Sequence, residues 1–453
     1  MTGLFFPIFL LSQRRQPAPA LRPGLFFVES VQLPRRFLAL LLIDSRDNGV
    51  YTGVYTGPDR PIYATQTGEE IAVDLLLKNA RVYRDHHFEP ADLLIRGGRI
   101  QAVGAGLAAD APVLDAGGRR CVPGFLDIHT HGADHVDANA ATPEEVRRWA
   151  VFNARHGTTG FLTSILTDTP EQTEAAIRRI TQAMDEGPTG GAAVLGIHLE
   201  GPFLSPAYKG AMPESLLRKG DPDWIRRCQQ QAKGRIRYMT VAPEVEGVTE
   251  VIRAFHDEIP LAIGHSGADY ATARQAIAAG ARACTHTFNG MRLFHQHEPA
   301  IMGAVLASPE VYCEAICDGR HLHPGTVEML LRCKGLDRVV AITDSIQAAG
   351  LPNGNYKLGV NDVVVRDGDA QLANGGGRAG STLTMDRALR NLTRFTTFPL
   401  EQLIPLLTEN PAALLGLPAK GRLEPGCDGD FVLLDEELAV TATVVGGSIV
   451  YQA

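Results

Sequence analysis

The chain has 453 residues, of which 45% are apolar and 21% are charged, with 47 glycines. This composition excludes a fibrous or an intrinsically disordered protein and allows a large buried core. The formal net charge of −8 excludes the basic surface that binding to nucleic acid or to anionic membranes generally needs, so a small molecule is the expected partner.

The first 72 residues are predicted to be an extension of uncertain structure, because short apolar runs, prolines and arginine pairs follow one another without a sustained period. No basic segment precedes the apolar residues from Leu4 to Leu11, which argues against a secretory signal. No later run reaches the roughly 20 apolar residues of a membrane helix, so no membrane partner is expected. The seven cysteines contain no CxxC pair, which favours the reducing cytoplasm over a disulfide framework.

Short apolar segments separated by turn residues flank the central part of the chain on both sides and are typical of strands. The first group lies within residues 73–122 and the second within residues 420–453. We predict that the two groups pair into one small β-sandwich domain. The segments are Asp74–Leu77, Ala91–Ile95, Ile100–Val103, Phe431–Leu434 and Ala442–Val445.

Residues 123–419 alternate apolar strands with amphipathic helices, the pattern of βα units and a parallel sheet. Thr142 and Thr169 precede two of the helices and are residue types that cap helix N-termini. Eight repeats predict an α/β fold, a (β/α)8 TIM-like barrel. The predicted strands are Phe125–His131, Gly160–Ile165, Val194–Leu199, Tyr238–Val241, Leu261–His265, Ala283–Thr287, Tyr312–Ile316 and Val339–Asp344. Three of the predicted helices are Pro143–His156, Pro170–Glu186 and Tyr270–Ala279.

Possible metal ligands stand at the carboxyl ends of five of these strands, the end that carries the active site in such barrels. His129 and His131 project from the same face of strand one because side chains alternate along a strand. A lone HxH is equally compatible with two polar residues at a barrel mouth. The complete set is typical of a zinc or iron site. The other strand ends carry His198 with Glu200, His265, His286 and Asp344.

Two members of this set have open roles. His198 stands two residues before Glu200 on the same face, so it can replace a neighbouring ligand or support one from behind. A divalent cation lowers the pKa of bound water from 15.7 to about 7. Asp344 beside such water can accept its proton and return it to a departing nitrogen, or it can be a ligand or a structural carboxylate.

Several motifs resemble those of a known family. The segment from Pro123 to Gly132, which reads PGFLDIHTHG, resembles the strand-one signature of the amidohydrolase superfamily, whose members are metal-dependent barrels with a flanking β-sandwich. From about Val73 to the C-terminus the chain resembles N-acetylglucosamine-6-phosphate deacetylases. The motifs that carry this resemblance are His198–Phe203, Gly264–Ser266, Thr285–Met291, Thr343–Asp344 and Ala379–Ser381.

The resemblance implies roles for the possible ligands. Glu200, His265 and His286 become the core metal ligands, and Asp344 becomes the general acid and base. Retention of both His129 and His131 implies that a second ion can bind, so one or two ions of zinc or iron are expected per subunit of a homodimer. Hydantoinases and dihydroorotases instead use a carboxylated lysine on strand four, where residues 239–244 read MTVAPE.

The same resemblance implies which residues surround the sugar and its phosphate: Asn289, Gly290, His321, His297, Ala211, Met212, Ala379 and Gly380. Two of these depart from the family pattern. His297 replaces a usual arginine, and an imidazole cannot reproduce the two-pronged fork of a guanidinium. Met212 stands in a segment that usually contains histidine, and it cannot donate a hydrogen bond to a sugar hydroxyl. Arg292 and Arg320 are alternative cations for a phosphate.

The predicted function is hydrolytic removal of an acetyl group from an amino sugar, with N-acetylglucosamine 6-phosphate as the expected substrate and water activated by a metal. His321 is expected to contact the substrate or to polarise its carbonyl. One alternative is an amidohydrolase that acts on a different or unphosphorylated N-acyl sugar, or on another amide. A second alternative is an inactive scaffold, against which the retention of every ligand argues.

Overall fold

The computed structural model of the chain describes residues 73–453 throughout and, before them, the backbone of four strands. These four strands form an antiparallel sheet in chain order, and the rest of the predicted extension lies outside the described residues. The chain divides into two compact units, residues 1–71 and residues 72–453. The four strands are Leu25–Gln32, Leu38–Asp44, Val50–Tyr55 and Ile62–Thr65.

Eight parallel strands form the central sheet of the second unit. They pair in chain order, and the eighth contacts the first, so the fold is the predicted (β/α)8 barrel. Every residue of strands one, two, five, six and eight is buried, because helices cover the outside of a parallel barrel. Barrel strands 1 to 8 are Phe125–Thr130, Thr158–Leu166, Ala193–Glu200, Ile236–Val241, Leu261–Ile263, Ala283–Cys284, Tyr312–Ile316 and Val339–Ile342.

Three barrel strands end at least two residues earlier than the apolar pattern predicts. Strands five, six and eight stop at Ile263, Cys284 and Ile342, two or three residues before the predicted ends. The next ionisable side chains belong to His265, His286 and Asp344, whose φ angles are +47°, +25° and +49°. Such left-handed backbone does not continue a strand, so the chain leaves the sheet as it presents each of these side chains.

Amphipathic helices return along the outside of the barrel. Trp149 on the first helix packs against Phe161 of barrel strand 2, with ring centroids 4.9 Å apart. The Thr142 hydroxyl accepts a hydrogen bond from the backbone N–H of Glu145 in a complete capping box, and Thr169 caps the second helix, as predicted. The α-helices are Pro143–Arg155, Pro170–Asp185, Pro222–Gln231, Val248–Phe255, Tyr270–Ala278, Ala300–Leu306, Pro324–Lys334, Met385–Phe395, Leu400–Leu403 and Glu409–Leu414. The 3-10 helices are Pro206–Tyr208, Glu214–Leu216 and Ile404–Leu407.

A second sheet joins the two segments that flank the barrel. Arg120–Pro123 pairs antiparallel with Phe431–Leu434, which confirms that strands from both flanks share one domain. The borders of this domain at residues 72, 122 and 420 stay a prediction. The strands, in spatial order, are Ser448–Gln452, Val440–Val445, Phe431–Leu434, Arg120–Pro123, Leu75–Arg84, His87–Arg96 and Arg99–Gly104, with Val113–Asp115 also paired to Leu75–Arg84.

Two smaller sheets stand near the carboxyl end of the barrel. A hairpin of Gly132–Ala133 and Val136–Asp137 follows barrel strand 1. After barrel strand 8, an antiparallel three-stranded meander is formed by Gly354–Leu358, Asn361–Arg366 and Asp369–Leu372, which the sequence pattern did not predict. No helix among the described residues is long and apolar enough to cross a membrane.

Candidate active site

Two groups of three possible metal ligands meet at the carboxyl end of the barrel. The first group is His129, His131 and Asp344, and the second is Glu200, His265 and His286. Within each group the ligand atoms all lie within 4.8 Å of one another, and all six side chains are buried. Six of the seven residues that the strand ends suggested are therefore brought together.

Hydrogen bonds define which ring nitrogen faces the centre in three of the histidines. In each ring Nδ1 contacts an oxygen that only accepts hydrogen bonds, so Nδ1 carries the proton and Nε2 presents its lone pair when the ring is neutral. The contacts join His129 Nδ1 to Glu314 Oε2 at 2.9 Å, His131 Nδ1 to the Ser164 carbonyl at 2.9 Å and His265 Nδ1 to the Tyr208 carbonyl at 2.8 Å.

These Nε2 atoms converge on two carboxylates. His131 Nε2 lies 3.2 Å from Glu200 Oε2 and 3.3 Å from Asp344 Oδ1. Within residues 73–453, His129 Nε2 is buried without a hydrogen-bond partner, at 3.5 Å from Glu200 and 3.6 Å from Asp344. Lone pairs that face carboxylates in a buried place repel each other unless a positive charge lies between them. The donors therefore fit one or two divalent cations.

The pKa shifts at the centre also result from the short distances between the imidazoles and the carboxylates. Burial lowers the pKa of His131, but its contacts with Asp344 and Glu200 outweigh burial and raise it to about 9. Burial raises the pKa of Glu200, but the surrounding imidazoles lower it well below its usual value. Burial likewise raises the pKa of Asp344, and His131 and His129 bring it below its usual value. Both carboxylates are therefore ionised, and their negative charges favour a cation at the centre.

His198 does not join either ligand group. Its Nδ1 lies 2.8 Å from the Ser164 hydroxyl, and its Nε2 lies 3.0 Å from the Thr240 hydroxyl. Burial, and next the charge of His129, lower its pKa well below the usual value, so the ring is neutral. Its ring centroid lies 4.5 Å from that of His129, so the two rings pack against each other.

A cavity of about 280 Å3 opens beside the two ligand groups. It brings together all the residues that were predicted to bind metal or substrate except two: His129 lies buried behind it, and His297 lies outside its lining. The predicted residues that line it are His131, Glu200, Ala211, Met212, His265, His286, Asn289, Gly290, His321, Asp344, Ala379 and Gly380.

Several of these residues are held in place by local contacts. His321 Nδ1 lies 2.7 Å from Asp318 Oδ2, so Nε2 is the nitrogen that remains for a substrate. The Asn289 amide donates to the His286 and Thr287 carbonyls at 3.2 and 3.3 Å. Gly380 has a φ of +59°, and a Cβ there would lie 2.8 Å from the Asp344 carbonyl oxygen. Only glycine allows the loop to pass so close to Asp344.

The two residues that depart from the family pattern lie in different surroundings. Met212 is 1% exposed and packs in an apolar cluster with Leu358 of the meander, at the edge of the cavity. His297 is exposed, in a loop where Leu293 and Phe294 are 81% and 57% exposed. The alternative cations Arg292 and Arg320 also lie outside the lining of the cavity.

The structure adds two polar residues that the sequence patterns did not single out. Glu314 is fully buried in barrel strand 7 and contacts His129. A carboxylate inside an otherwise apolar predicted strand was the signal that could have identified it. Arg378 lines the cavity and contacts Asp369 of the meander at 2.8 and 3.3 Å. The position of Arg378 directly before Ala379 and Gly380 was the sequence signal that could have identified it.

The chain is similar in sequence to a known family and to named proteins. Residues 120–450 match the Amidohydrolase family. The N-acetylglucosamine-6-phosphate deacetylase of Lysinibacillus sphaericus is 34% identical, over 83% of this chain and 98% of its own length. The N-acetylgalactosamine-6-phosphate deacetylase of Escherichia coli O157:H7 is 35% identical, over 72% of this chain and 86% of its own length.

A solved structure extends the similarity to three dimensions. It is a variant of the N-acetyl-D-glucosamine-6-phosphate deacetylase of Mycobacterium smegmatis in complex with N-acetyl-D-glucosamine-6-phosphate. It is 35% identical, with a TM-score of 0.78, and the match covers 84% of this chain and all of that chain. From these matches, the chain belongs to the amidohydrolase family, among the N-acetylglucosamine-6-phosphate deacetylases.

Proposed function

We propose that this chain hydrolyses N-acetylglucosamine 6-phosphate to glucosamine 6-phosphate and acetate. The observation that carries the proposal is the pair of buried ligand groups, with Asp344 among them, at the wall of a cavity of about 280 Å3. The relatives that share the sequence and the fold carry the name of this activity. An inactive scaffold would have no need for six buried polar side chains whose lone pairs face one another.

The residues that would hold divalent cations are His129, His131 and Asp344 in one group and Glu200, His265 and His286 in the other. We propose zinc or iron, in up to two ions, because imidazole nitrogens and carboxylate oxygens suit these metals. A bound cation would polarise the acetamide carbonyl and lower the pKa of water at this place.

Asp344 moves the proton in the proposed reaction. Its carboxylate accepts a proton from the attacking water, whose oxygen forms the new bond to the acetamide carbon. The carbon–nitrogen bond then breaks, and Asp344 returns the proton to the sugar nitrogen. The loop at Gly380 fixes the position of Asp344, because the backbone N–H of Ser381 donates to the Asp344 carbonyl at 2.7 Å.

Other cavity residues orient the sugar. His321, fixed by Asp318, presents Nε2 to a sugar hydroxyl or to the acetamide carbonyl. Asn289 and the Gly290 backbone line the same cavity as His265 and His286. Among the described residues that line the cavity, Arg378 is the one whose side chain is always positively charged, so we assign the contact with the 6-phosphate to Arg378.

Acetate release tests this function. The purified chain, loaded with zinc or iron, is given N-acetylglucosamine 6-phosphate, and acetate is measured by a coupled assay. Asp344→Asn should release almost no acetate, because the amide cannot accept and return the proton, while the ion held by Glu200, His265 and His286 stays bound. Release by the variant at the wild-type rate would remove Asp344 from this role, and no release by wild type would reject the function.

Two other substrates distinguish the alternatives that remain. The similarity to an N-acetylgalactosamine-6-phosphate deacetylase makes the galactose epimer a second candidate. Unphosphorylated N-acetylglucosamine is a third, because His297 lies outside the cavity. A higher kcat/KM for the galactose isomer would reassign the substrate, and equal values with and without phosphate would reject the 6-phosphate.

We also propose that the chain works as a homodimer in the cytoplasm. A homodimer is what the family resemblance implies, and light scattering on the purified protein gives the mass that tests it. Six of the seven cysteines are buried and all seven are unpaired within the described residues, which suits a reducing compartment. Fractionation of cells that produce the chain tests the location, and recovery outside the cytoplasm would contradict it.

A further inference from the structure

Glu314 is a fully buried carboxylate in barrel strand 7, Tyr312–Ile316. Its neighbours on the strand, Cys313 and Ala315, are buried apolar residues. Burying a carboxylate in such surroundings costs several kcal/mol unless partners compensate for the lost water. Packing of the barrel therefore does not explain why a carboxylate occupies this position.

Two of the candidate ligand residues donate hydrogen bonds to the Glu314 carboxylate. Oε2 accepts from His129 Nδ1 at 2.9 Å and from the backbone N–H of His286 at 2.9 Å. Within residues 73–453, Oε1 is buried without a hydrogen-bond partner. One oxygen thus joins a histidine of the first ligand group to the backbone of a histidine in the second group.

Both contacts act on features that a metal centre needs. The bond to Nδ1 fixes the tautomer of His129 and aims Nε2 at Glu200 and Asp344. The bond to the His286 backbone holds a residue whose φ of +25° a free chain would rarely adopt. The backbone of Glu314 adds a third contact, because its carbonyl accepts from the N–H of Thr287 at 2.9 Å.

We propose that Glu314 is a positioning residue that orients His129 for a metal ion and holds the two ligand groups in register. This inference rests on the metal centre of the proposed function. Glu314 does not touch the substrate, since it lies outside the lining of the cavity. Its loss should weaken binding of the ion in the group of His129, His131 and Asp344 more than it changes the fold.

The test compares metal content in three full-length proteins: wild type, Glu314→Gln and Glu310→Gln. The first change keeps the shape of the side chain and removes its charge. The second makes the same change at an exposed residue just before the same strand. After dialysis against buffered zinc, metal analysis should show affinity for one ion reduced about 10–100-fold in Glu314→Gln and unchanged in Glu310→Gln.

Two further measurements separate positioning from a merely structural role. The visible spectrum of the cobalt-substituted protein should change in Glu314→Gln, because the ligand geometry around the ion changes. The melting temperature of the metal-free variant should stay close to that of metal-free wild type, whereas the rise on adding zinc should be smaller.

Wild-type metal content and a wild-type cobalt spectrum in Glu314→Gln would overturn the assignment. An equal loss of melting temperature with and without zinc, at unchanged affinity, would also overturn it, because it shows a structural role alone. Absence of metal binding in wild type itself would overturn the metal centre, and the proposed function with it. The wild-type measurement therefore distinguishes the two failures.

Discussion

Arg378 stands at the edge of the cavity with its guanidinium held against Asp369 of the meander. Its side chain is 41% exposed, so the ion pair with Asp369 is partly screened by water and contributes little to stability. A phosphate dianion brings more negative charge than one carboxylate and matches the fork of the guanidinium. Arg378 can therefore bind the 6-phosphate of the proposed substrate, whereas His297 lies outside the cavity.

Replacing Arg378 with Leu should lower kcat/KM for N-acetylglucosamine 6-phosphate about tenfold or more, because a hydrogen bond to a charged group contributes about 1.5–3 kcal/mol. The value for unphosphorylated N-acetylglucosamine should stay the same, since no phosphate contact is lost. Steady-state kinetics with both substrates measures kcat/KM of the variant relative to that of wild type. Arg366→Leu, at an exposed position on the same meander, is the matched control. An equal fall for both substrates would contradict the phosphate contact.

Single residues differ in how far the sequence predicts their place. The six candidate ligand positions could be selected from the sequence because each is a polar residue at the end of an apolar strand, where a barrel gathers its active site. The sequence carries a signal at Glu314 and at Arg378, but it could not predict their contacts, because these depend on which side chains of distant segments meet. His129 and Glu314 are 185 positions apart in the chain, and no local pattern reports that contact.

Among the elements, the helix Met385–Phe395 begins with a buried carboxylate that organises its first turn. Asp386 Oδ1 lies 3.1 Å from His156 Nδ1 and accepts from the Thr384 hydroxyl at 2.6 Å, and Oδ2 accepts from Arg390 at 2.7 Å. Burial raises the pKa of Asp386, but His156, Arg390 and Thr384 outweigh burial and hold it far below its usual value.

Asp386→Asn should therefore lower the free energy of unfolding at pH 7 by about 1.5–3 kcal/mol, the contribution of a hydrogen bond to a charged group. Because the folded pKa is depressed, the stabilisation is complete above the unfolded value of about 3.9 and is lost as the pH falls toward the folded value. Urea unfolding of both proteins between pH 7 and pH 3 should show the difference shrinking below about pH 4. A difference that stays constant over this range would contradict the role of the charge.

The elements themselves were predicted unevenly. The barrel helices and their caps at Thr142 and Thr169 follow from local chemistry, and they are confirmed. The meander of residues 354–372 was missed because its short strands carry charged and polar residues, which are equally typical of a loop. Its apolar side chains pack against Leu166, Leu204 and Met212, far away in the sequence, and this packing is what makes it a sheet.

For the whole molecule, the match to the Amidohydrolase family, residues 120–450, lies entirely within the unit of residues 72–453. A chain that begins at residue 72 should therefore fold, bind metal and release acetate at the rate of the full chain. Metal analysis and the acetate assay on both chains give the comparison. Loss of either property in the shorter chain would show that residues 1–71 belong to the working enzyme. In either case, the division of residues 72–453 into a barrel and a flanking sheet domain stays a prediction.

The pairing of Arg120–Pro123 with Phe431–Leu434 also limits when this sheet can be completed during synthesis. The later strand is made about 300 residues after the earlier one, which at 5–20 residues per second is a delay on the order of 15–60 s. During that interval the strands before the barrel lack the neighbour that completes their sheet. Nascent chains arrested before residue 431 should thus be cut by protease within residues 75–123, whereas released chains resist. Resistance in the arrested chains would show that the first strands fold without their late partner.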